Sequence, residues 1–496
     1  MNAKPTPALK MSPLKVAAPP PLDVPPSDHD ATRAENRVPI TDALARFAAD
    51  TAHDAIPAAV RTRALHHMLD AAGIAVATTR YDHAHRVLTA MNGLGGGSGG
   101  TVPLFGFPGR LAPRDAAIVN GYLCHGLDFD DTHVAGIVHP TASVLPAVLS
   151  TAAHVGASGQ AMVTAFVIGI ETAARLGMVA RGGFHQVGFH PTGMIGVFGC
   201  ALAAGRLMGL NAEQLAMAQG IALSLAAGSL EFVEDGAWNK RLHPGWAAQA
   251  GMTAAALARE GFVGATRPYD GRFGLFNSYL GTHREQADYA LATAGLGTVW
   301  ELLQVAIKPY PACHFTHACI DSALRLRAEG ALPERIRAIE VQVPEGVFKT
   351  VCVPEANKLN PANSYDAQFS VQWLTACAFV NGRFGLAELK DDRIADPAVL
   401  ALTQKVSFAD FPESPFPKAY SGGVTVTLDD GRMLRHREPV NRGAADRPLA
   451  DAEIVAKFRA NAATAFNGDV VVRMEAAMLG LDTLERGAER LAAFSP

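Results

Sequence analysis

Between His139 and Ile170 the chain carries no Asp, Glu, Lys or Arg. A charge-free stretch of that length must be buried, either in a bilayer or in a large protein core. Pro140, Pro146, Gly156, Ser158 and Gly159 interrupt it, and proline and glycine break helices rather than extend them. It therefore divides into two helices of soluble length, and the neighbouring apolar runs contain Glu171, Arg175 and Arg206. A core of packed helices is expected, with no membrane span. The same texture runs from about residue 39 to 297 in "TDALARFAAD", "PAAVRTRALHHMLDAAGIAVAT", "GQAMVTAFVIGIETAARLG", "MIGVFGCALAAGRLMG" and "AEQLAMAQGIALSLAAGS". Apolar residues recur at helical spacing, and the many Ala and Gly let helix axes approach closely.

Beyond about Trp300 the pattern changes. "IRAIEVQV" (336–343) alternates with period two, and "GVTVTLDDGRMLRHR" (423–437) is a strand, an Asp-Gly turn and a strand. Helices are expected around 312–329, 364–381 and 395–404, and again at "LADAEIVAKFRANAATAF" and "DVVVRMEAAMLGLDTL". The expected fold is mainly α, with a large all-helical domain (residues 38–300 and 441–496) and a smaller α+β lid domain inserted at 301–440. Residues 1–37, rich in Pro and Ala, read as a disordered tail without the apolar core of a signal peptide.

Composition narrows the function. Only 18% of residues are charged against 49% hydrophobic, so a chain this long hides much surface in its core or in a homodimer interface. The 43 basic and 47 acidic residues are interspersed, and the absence of a basic stripe argues against nucleic acid. Cys124, Cys200, Cys313, Cys319, Cys352 and Cys377 show no C-x-x-C spacing, which removes support for zinc or iron–sulfur sites and fits a reducing, cytoplasmic location. The glycine run at 92–106 lacks the Gly-Lys-Ser/Thr ending of a phosphate loop.

Against this charge-poor background, "HGLDFDDTHVAGIVHPTAS" (125–143) is conspicuous. If the segment is helical, His125, Asp128 and Thr132 share one face, while Asp130 and Asp131 point elsewhere to cap or orient. His139-Pro140, His190-Pro191, His243-Pro244 and Lys308-Pro309 each stand before an apolar run. Proline suits the first turn of a helix, and helix N-termini attract anions. Lys240 and Arg241 stand next to His243. Imidazoles and cations at several helix starts would make a pocket for an anionic ligand, with histidine moving protons and lysine holding carboxylates.

Taken together, "HGLDFDDTH…HPTASVLPAV", "GFHPTGMIGVFGCALAAGRLMGL", "NKRLHPGWAAQAGMTAAALAREGFVGA", "IKPYPACHFTHACIDSAL", "YDAQFSVQW" and "REPVNRG…PLADAEIVAKF" resemble the MmgE/PrpD family, in the family's order and over nearly the whole chain from residue 39. The resemblance implies a homodimer without a metal cofactor, acting on a small di- or tricarboxylate such as 2-methylcitrate or cis-aconitate. It implies Asp128, Thr132, His139 and His190 as catalytic residues and Lys240 and Lys308 as substrate-binding residues, joined by His243 and Arg241 from the adjacent segment. Where decarboxylating members carry a lid tyrosine after "VCVP", this chain has Glu355, an extra carboxylate expected to repel a tricarboxylate. The expected activity is that of a lyase, foremost a hydro-lyase, working through an enolate-like species. An isomerase or epimerase on the same scaffold, and a non-catalytic carboxylate-binding protein, are the alternatives.

Overall fold

The computed structural model describes residues 39–97, 99–487 and 494; the expected disordered tail lies outside them. Among the described residues the chain is predominantly helical, with one small sheet in its C-terminal part. The helices that build the site are α1 (Ala58–Thr78), α2 (Pro113–His125), α3 (Pro140–Val155), α4 (Gly159–Val179), α5 (Pro191–Leu207) and α6 (Asn239–Arg259). The charge-free stretch breaks where its glycines indicated: α3 ends on Gly156 at φ 71°, and Ser158 caps α4 by accepting from the Ala161 N–H. Left-handed backbone of this kind suits glycine. Helix α4 is long and apolar enough to cross a bilayer, but its apolar window is 94% buried in the protein, the position of a core helix. Its Glu171 and Arg175 are buried as a pair 3.1 Å apart, and the guanidinium also donates to the carbonyls of Ala294 and Val299.

Small residues set the helix spacing. A Cβ on Gly245 of α6 would lie 2.3 Å from the Ile118 carbonyl oxygen of α2, and one on Gly199 of α5 would lie 2.5 Å from that of Gly169 in α4. Any side chain there would push apart the helices whose ends carry the site histidines. This close packing brings the C-terminus of α2, the N-terminus of α5 and the first turns of α6 to one place.

Four strands form the sheet: β1 (Ile336–Val343), β2 (Val406–Asp410), β3 (Gly422–Leu428) and β4 (Met433–Glu438), in spatial order β2-β1-β3-β4. β1 runs parallel to β2 and antiparallel to β3, and β3–β4 is the hairpin anticipated from the Asp-Gly turn. Helices α7 (His317–Ala328) and α8 (Val371–Asn381) belong to the same apolar core as the sheet. The chain then returns to helix in α9 (Asp451–Ala462) and α10 (Gly468–Leu479). Phe458, Ala462, Met474 and Met478 complete the core begun by residues of α1–α4, with Phe458 lying over Gly73 of α1.

Candidate active site

Helix α2 stops at His125, so the expected helical face through Asp128 and Thr132 does not exist. Gly126 packs against Thr78, and Asp128 adopts a left-handed conformation at φ 49°. Tertiary bonds hold the chain there. Three consecutive carbonyls accept from three remote side chains: Leu127 from Gln368 (2.5 Å), Asp128 from Lys308 (2.9 Å) and Phe129 from Lys457 of α9 (2.9 Å). A two-residue strand, Thr132–His133, then pairs with Val305–Ala306, bringing Lys308 alongside.

The loop delivers Asp128 between two ammonium groups. Lys240 and Lys308 each lie 2.9 Å from the same oxygen, Asp128 Oδ1, and all three side chains are buried. Burial alone would raise the Asp128 pKa, but the two lysines hold it well below the usual carboxylate range. Its second oxygen, Oδ2, has no protein partner. One carboxylate against two buried cations leaves this centre net positive, a setting for a further anion.

Around the centre stand imidazoles. His139 and His190 are the N-cap residues of α3 and α5, with proline next in each helix, as the His-Pro pattern implied. His139 Nδ1 donates to the Asp131 carbonyl at 2.7 Å and lies 3.3 Å from Thr132 Oγ1. A carbonyl only accepts, so Nδ1 bears the hydrogen and Nε2 of the neutral ring is free to exchange a proton. Asp130 accepts from His125 Nδ1 at 2.8 Å, while Asp131 caps α3 by accepting from the Thr141 N–H (3.4 Å), also accepts from the Thr141 hydroxyl (2.5 Å) and pairs with His67 (2.6 Å). Thus Asp130 orients and Asp131 caps. Burial, reinforced by the nearby lysines, keeps His125, His139 and His190 well below the ordinary imidazole value. They are uncharged at neutral pH.

Asp128, Thr132, His139, His190, Lys240 and Lys308 line one cavity of about 480 Å³, counting its mouth. Two of the expected site residues do not. Arg241 follows Lys240 on the helix and points elsewhere, its guanidinium 4.6 Å from the centre of the Tyr365 ring. His243 lies behind His190, Nδ1 to Nδ1 at 3.0 Å, and faces a second cavity instead. His243-Pro244 also lies inside α6 rather than at its start. Pro244 is the sixth residue of α6, past its first turn, so its missing N–H costs one intrahelical bond. Lys308-Pro309 likewise starts no helix; α7 begins only at His317, and Lys308 is placed by the strand pair before it. Glu355 is exposed and is not among the residues that line the cavity.

Several lining residues carried no readable signal. His314 and His185 are pushed down by burial to about 3 and about 4. Cys313 is raised by burial to about 11, and Tyr420 donates its hydroxyl to the Val134 carbonyl at 3.0 Å. Tyr420 comes from the segment ahead of β3, and only the folded chain brings it here. All six cysteines are buried free thiols.

His125, His139 and His190, and likewise His125, Asp128, Asp130 and His139, are close enough together to surround a cation. The residues do not suit one. Asp128 is already paired with two ammonium groups, whose positive charge would repel a divalent ion placed beside that carboxylate. No step is assigned to a metal.

Known proteins match this sequence. Residues 42–287 match the MmgE/PrpD N-terminal domain and residues 310–481 the MmgE/PrpD C-terminal domain. Cis-aconitate decarboxylase of Mus musculus is 29% identical over 84% of this chain and 86% of its own length, and that of Homo sapiens is 30% identical over 76% and 78%. The 2-methylcitrate dehydratase of Cupriavidus necator is 26% identical over 72% of this chain and 76% of its own. With both domains matched in order and the quoted motifs meeting at one buried charged centre, this chain belongs to the MmgE/PrpD family.

Proposed function

We propose that this chain is a lyase that removes CO₂ or water from a small tricarboxylate through an enolate-like intermediate. The observation that carries the reading is the Lys240–Asp128–Lys308 centre, with net positive charge, facing uncharged His139 and His190 across one cavity. Loss of CO₂ leaves an electron pair on carbon, and removal of an α-proton ahead of water loss does the same. Conjugation moves that charge onto the oxygens of a neighbouring carboxylate, and preplaced ammonium groups stabilise it there. His139 Nε2 is the acid/base candidate, and Asp128 sets the spacing of the lysines. The relatives named as decarboxylases share higher identity over more of the chain than the dehydratase, which favours decarboxylation.

The remaining features of the reading follow from burial. Trp238, Leu242 and Trp246 are 46%, 38% and 43% exposed at the start of α6, an apolar stripe that supports a homodimer. Residues 301–440, which supply Lys308, His314 and Tyr420, are taken as the lid over a cavity otherwise built by the helices. Six unpaired cysteines support a cytoplasmic enzyme. The test is purified protein with cis-aconitate, 2-methylcitrate and citrate, followed by mass spectrometry in H₂O and D₂O. Loss of CO₂ or water is expected. Deuterium uptake without a change of formula would replace the lyase with the isomerase reading, and inertness towards all three would remove it.

A further inference from the structure

The C-terminal block "PLADAEIVAKF" leads into α9, and none of its residues lines the active cavity. One of them nevertheless reaches the loop that carries Asp128. The Lys457 ammonium donates to the Phe129 carbonyl at 2.9 Å and lies 3.8 Å from the centre of the Phe129 ring. The residue after Asp128 is thus gripped by main chain and side chain at once. The same ammonium is 2.8 Å and 2.9 Å from the two carboxylate oxygens of Asp70 on α1, and the two side chains are 9% and 2% exposed. A buried ion pair therefore stands directly behind the turn.

One face of α1 builds this support. His67, Asp70 and Gly73 follow at intervals of three and point the same way. His67 pairs with Asp131 at 2.6 Å, so α1 holds one end of the segment 129–131 directly and the other through Lys457. Gly73 lets α9 come close: a Cβ there would lie 2.8 Å from Phe458 Cδ2 and 3.2 Å from Phe458 Cα, and Phe458 is the neighbour of Lys457. Of the three side chains that donate to the turn, Lys308 belongs to the cavity and Gln368 is neutral. Lys457 alone brings a charge from outside it, and a charged donor makes the stronger hydrogen bond. Left-handed backbone such as that of Asp128 persists where its surroundings hold it.

We propose that Lys457 is a positioning residue: anchored by Asp70, it fixes the Phe129 carbonyl and thereby the place of Asp128 between Lys240 and Lys308. The proposal rests on the reading of that centre as the holder of substrate carboxylates. Lys457 touches neither substrate nor reacting atoms, and its effect is geometric. Asp128 Oδ1 is the one atom that both cavity lysines share, so a shift of the turn displaces both ammonium groups from the carboxylates they meet. A misplacement of about 1 Å at a reacting centre costs about a hundredfold in rate.

The experiment measures kcat/KM on cis-aconitate and the Kd of propane-1,2,3-tricarboxylate for Lys457→Met and Lys457→Arg, and repeats Lys457→Met in an Asp128→Asn background. Lys457→Met should lose roughly 10- to 100-fold in kcat/KM and bind the tricarboxylate more weakly. Lys457→Arg keeps a cation for the Phe129 carbonyl and should recover most of the loss. In Asp128→Asn, adding Lys457→Met should change Kd by about twofold or less, because two residues acting through one contact are not additive. A merely structural role gives the same factor in both backgrounds. That outcome overturns the proposal, as does full activity in Lys457→Met or a loss that Lys457→Arg fails to reduce. If Lys457→Met does not fold, Asp70→Asn/Lys457→Met, which strands no buried charge, takes its place in the cycle. Binding needs no turnover: a wild type inert on cis-aconitate removes the lyase reading and leaves the Kd cycle to decide this one, whereas no binding to wild type overturns both.

Discussion

Replacing Asp128 by Asn tests the charge logic of the site with little backbone disturbance. Asp128 is at φ 49°, and Asn tolerates left-handed backbone as well as Asp does. The substitution removes one negative charge and keeps an acceptor, but leaves Lys240 and Lys308, both buried, without a counter-ion. Breaking a buried ion pair in this way costs about 3–5 kcal/mol. Unfolding entropy of about 2.1 cal/mol/K per residue, over roughly 450 structured residues, makes about 0.9 kcal/mol/K. The melting temperature should therefore fall by about 3–5 °C. Propane-1,2,3-tricarboxylate, which has neither a double bond nor a hydroxyl to eliminate, should replace the missing charge. It should raise the melting temperature of Asp128→Asn by more than it raises that of wild type. The pH dependence follows from the depressed carboxylate. Such a group stabilises the fold above its unfolded value of about 3.9 and loses that contribution as pH falls towards its folded value. The gap between the two proteins should be complete at neutral pH and close in acid. Differential scanning fluorimetry with ligand titration reads all of this. An unchanged melting temperature, or a ligand shift no larger than wild type's, would refute the reasoning.

Three further outcomes follow from the same geometry. His139→Ala should lower kcat by roughly two to four orders of magnitude, measured by product formation from cis-aconitate; intact turnover would remove His139 as the acid/base. Lys240→Ala should lower kcat as well as raise KM for a tricarboxylate, and a rise in KM with kcat unchanged in steady-state kinetics would place its charge on substrate binding rather than on the enolate. Wild type should sediment as a dimer, and Leu242→Glu with Trp246→Glu should convert it to a monomer of 52.1 kDa; a wild-type monomer at micromolar concentration would contradict the interface.

What the sequence disclosed was whatever local chemistry decides. Proline after histidine sets a helix start, so His139 and His190 could be placed as N-caps without a structure. Period-two alternation and an Asp-Gly turn specify a hairpin, and Ile336–Val343 and the β3–β4 pair formed where expected. The same local rule failed at His243-Pro244, because the first turn of α6 begins upstream at Asn239. Proline is favoured at the first helical position, but here it stands sixth, so the dipeptide marked the neighbourhood of this helix start and not its first residue. Strand β2 left no alternating pattern, its partly exposed residues at a sheet edge giving little contrast between faces.

The loop after His125 shows why the site itself could not be read that way. A helical continuation would satisfy the carbonyls of Leu127, Asp128 and Phe129 with amides four residues on. Instead Gln368, Lys308 and Lys457 satisfy them, from three segments distant in sequence. Lys457 is itself pinned, its ammonium 2.8 Å from Asp70 of α1 and 3.8 Å from the centre of the Phe129 ring. Burial raises Asp70 to about 6, Lys457 opposing it. The left-handed turn that aims Asp128 at the two lysines therefore exists only after the helices, the sheet region and the C-terminal helix have come together. Each of the three donors is unremarkable in its own neighbourhood, since a lone Lys or Gln on a helix or loop carries no mark of what it will bond. Residue identity could nominate the lysines and the aspartate, but their shared oxygen is a property of the assembled chain.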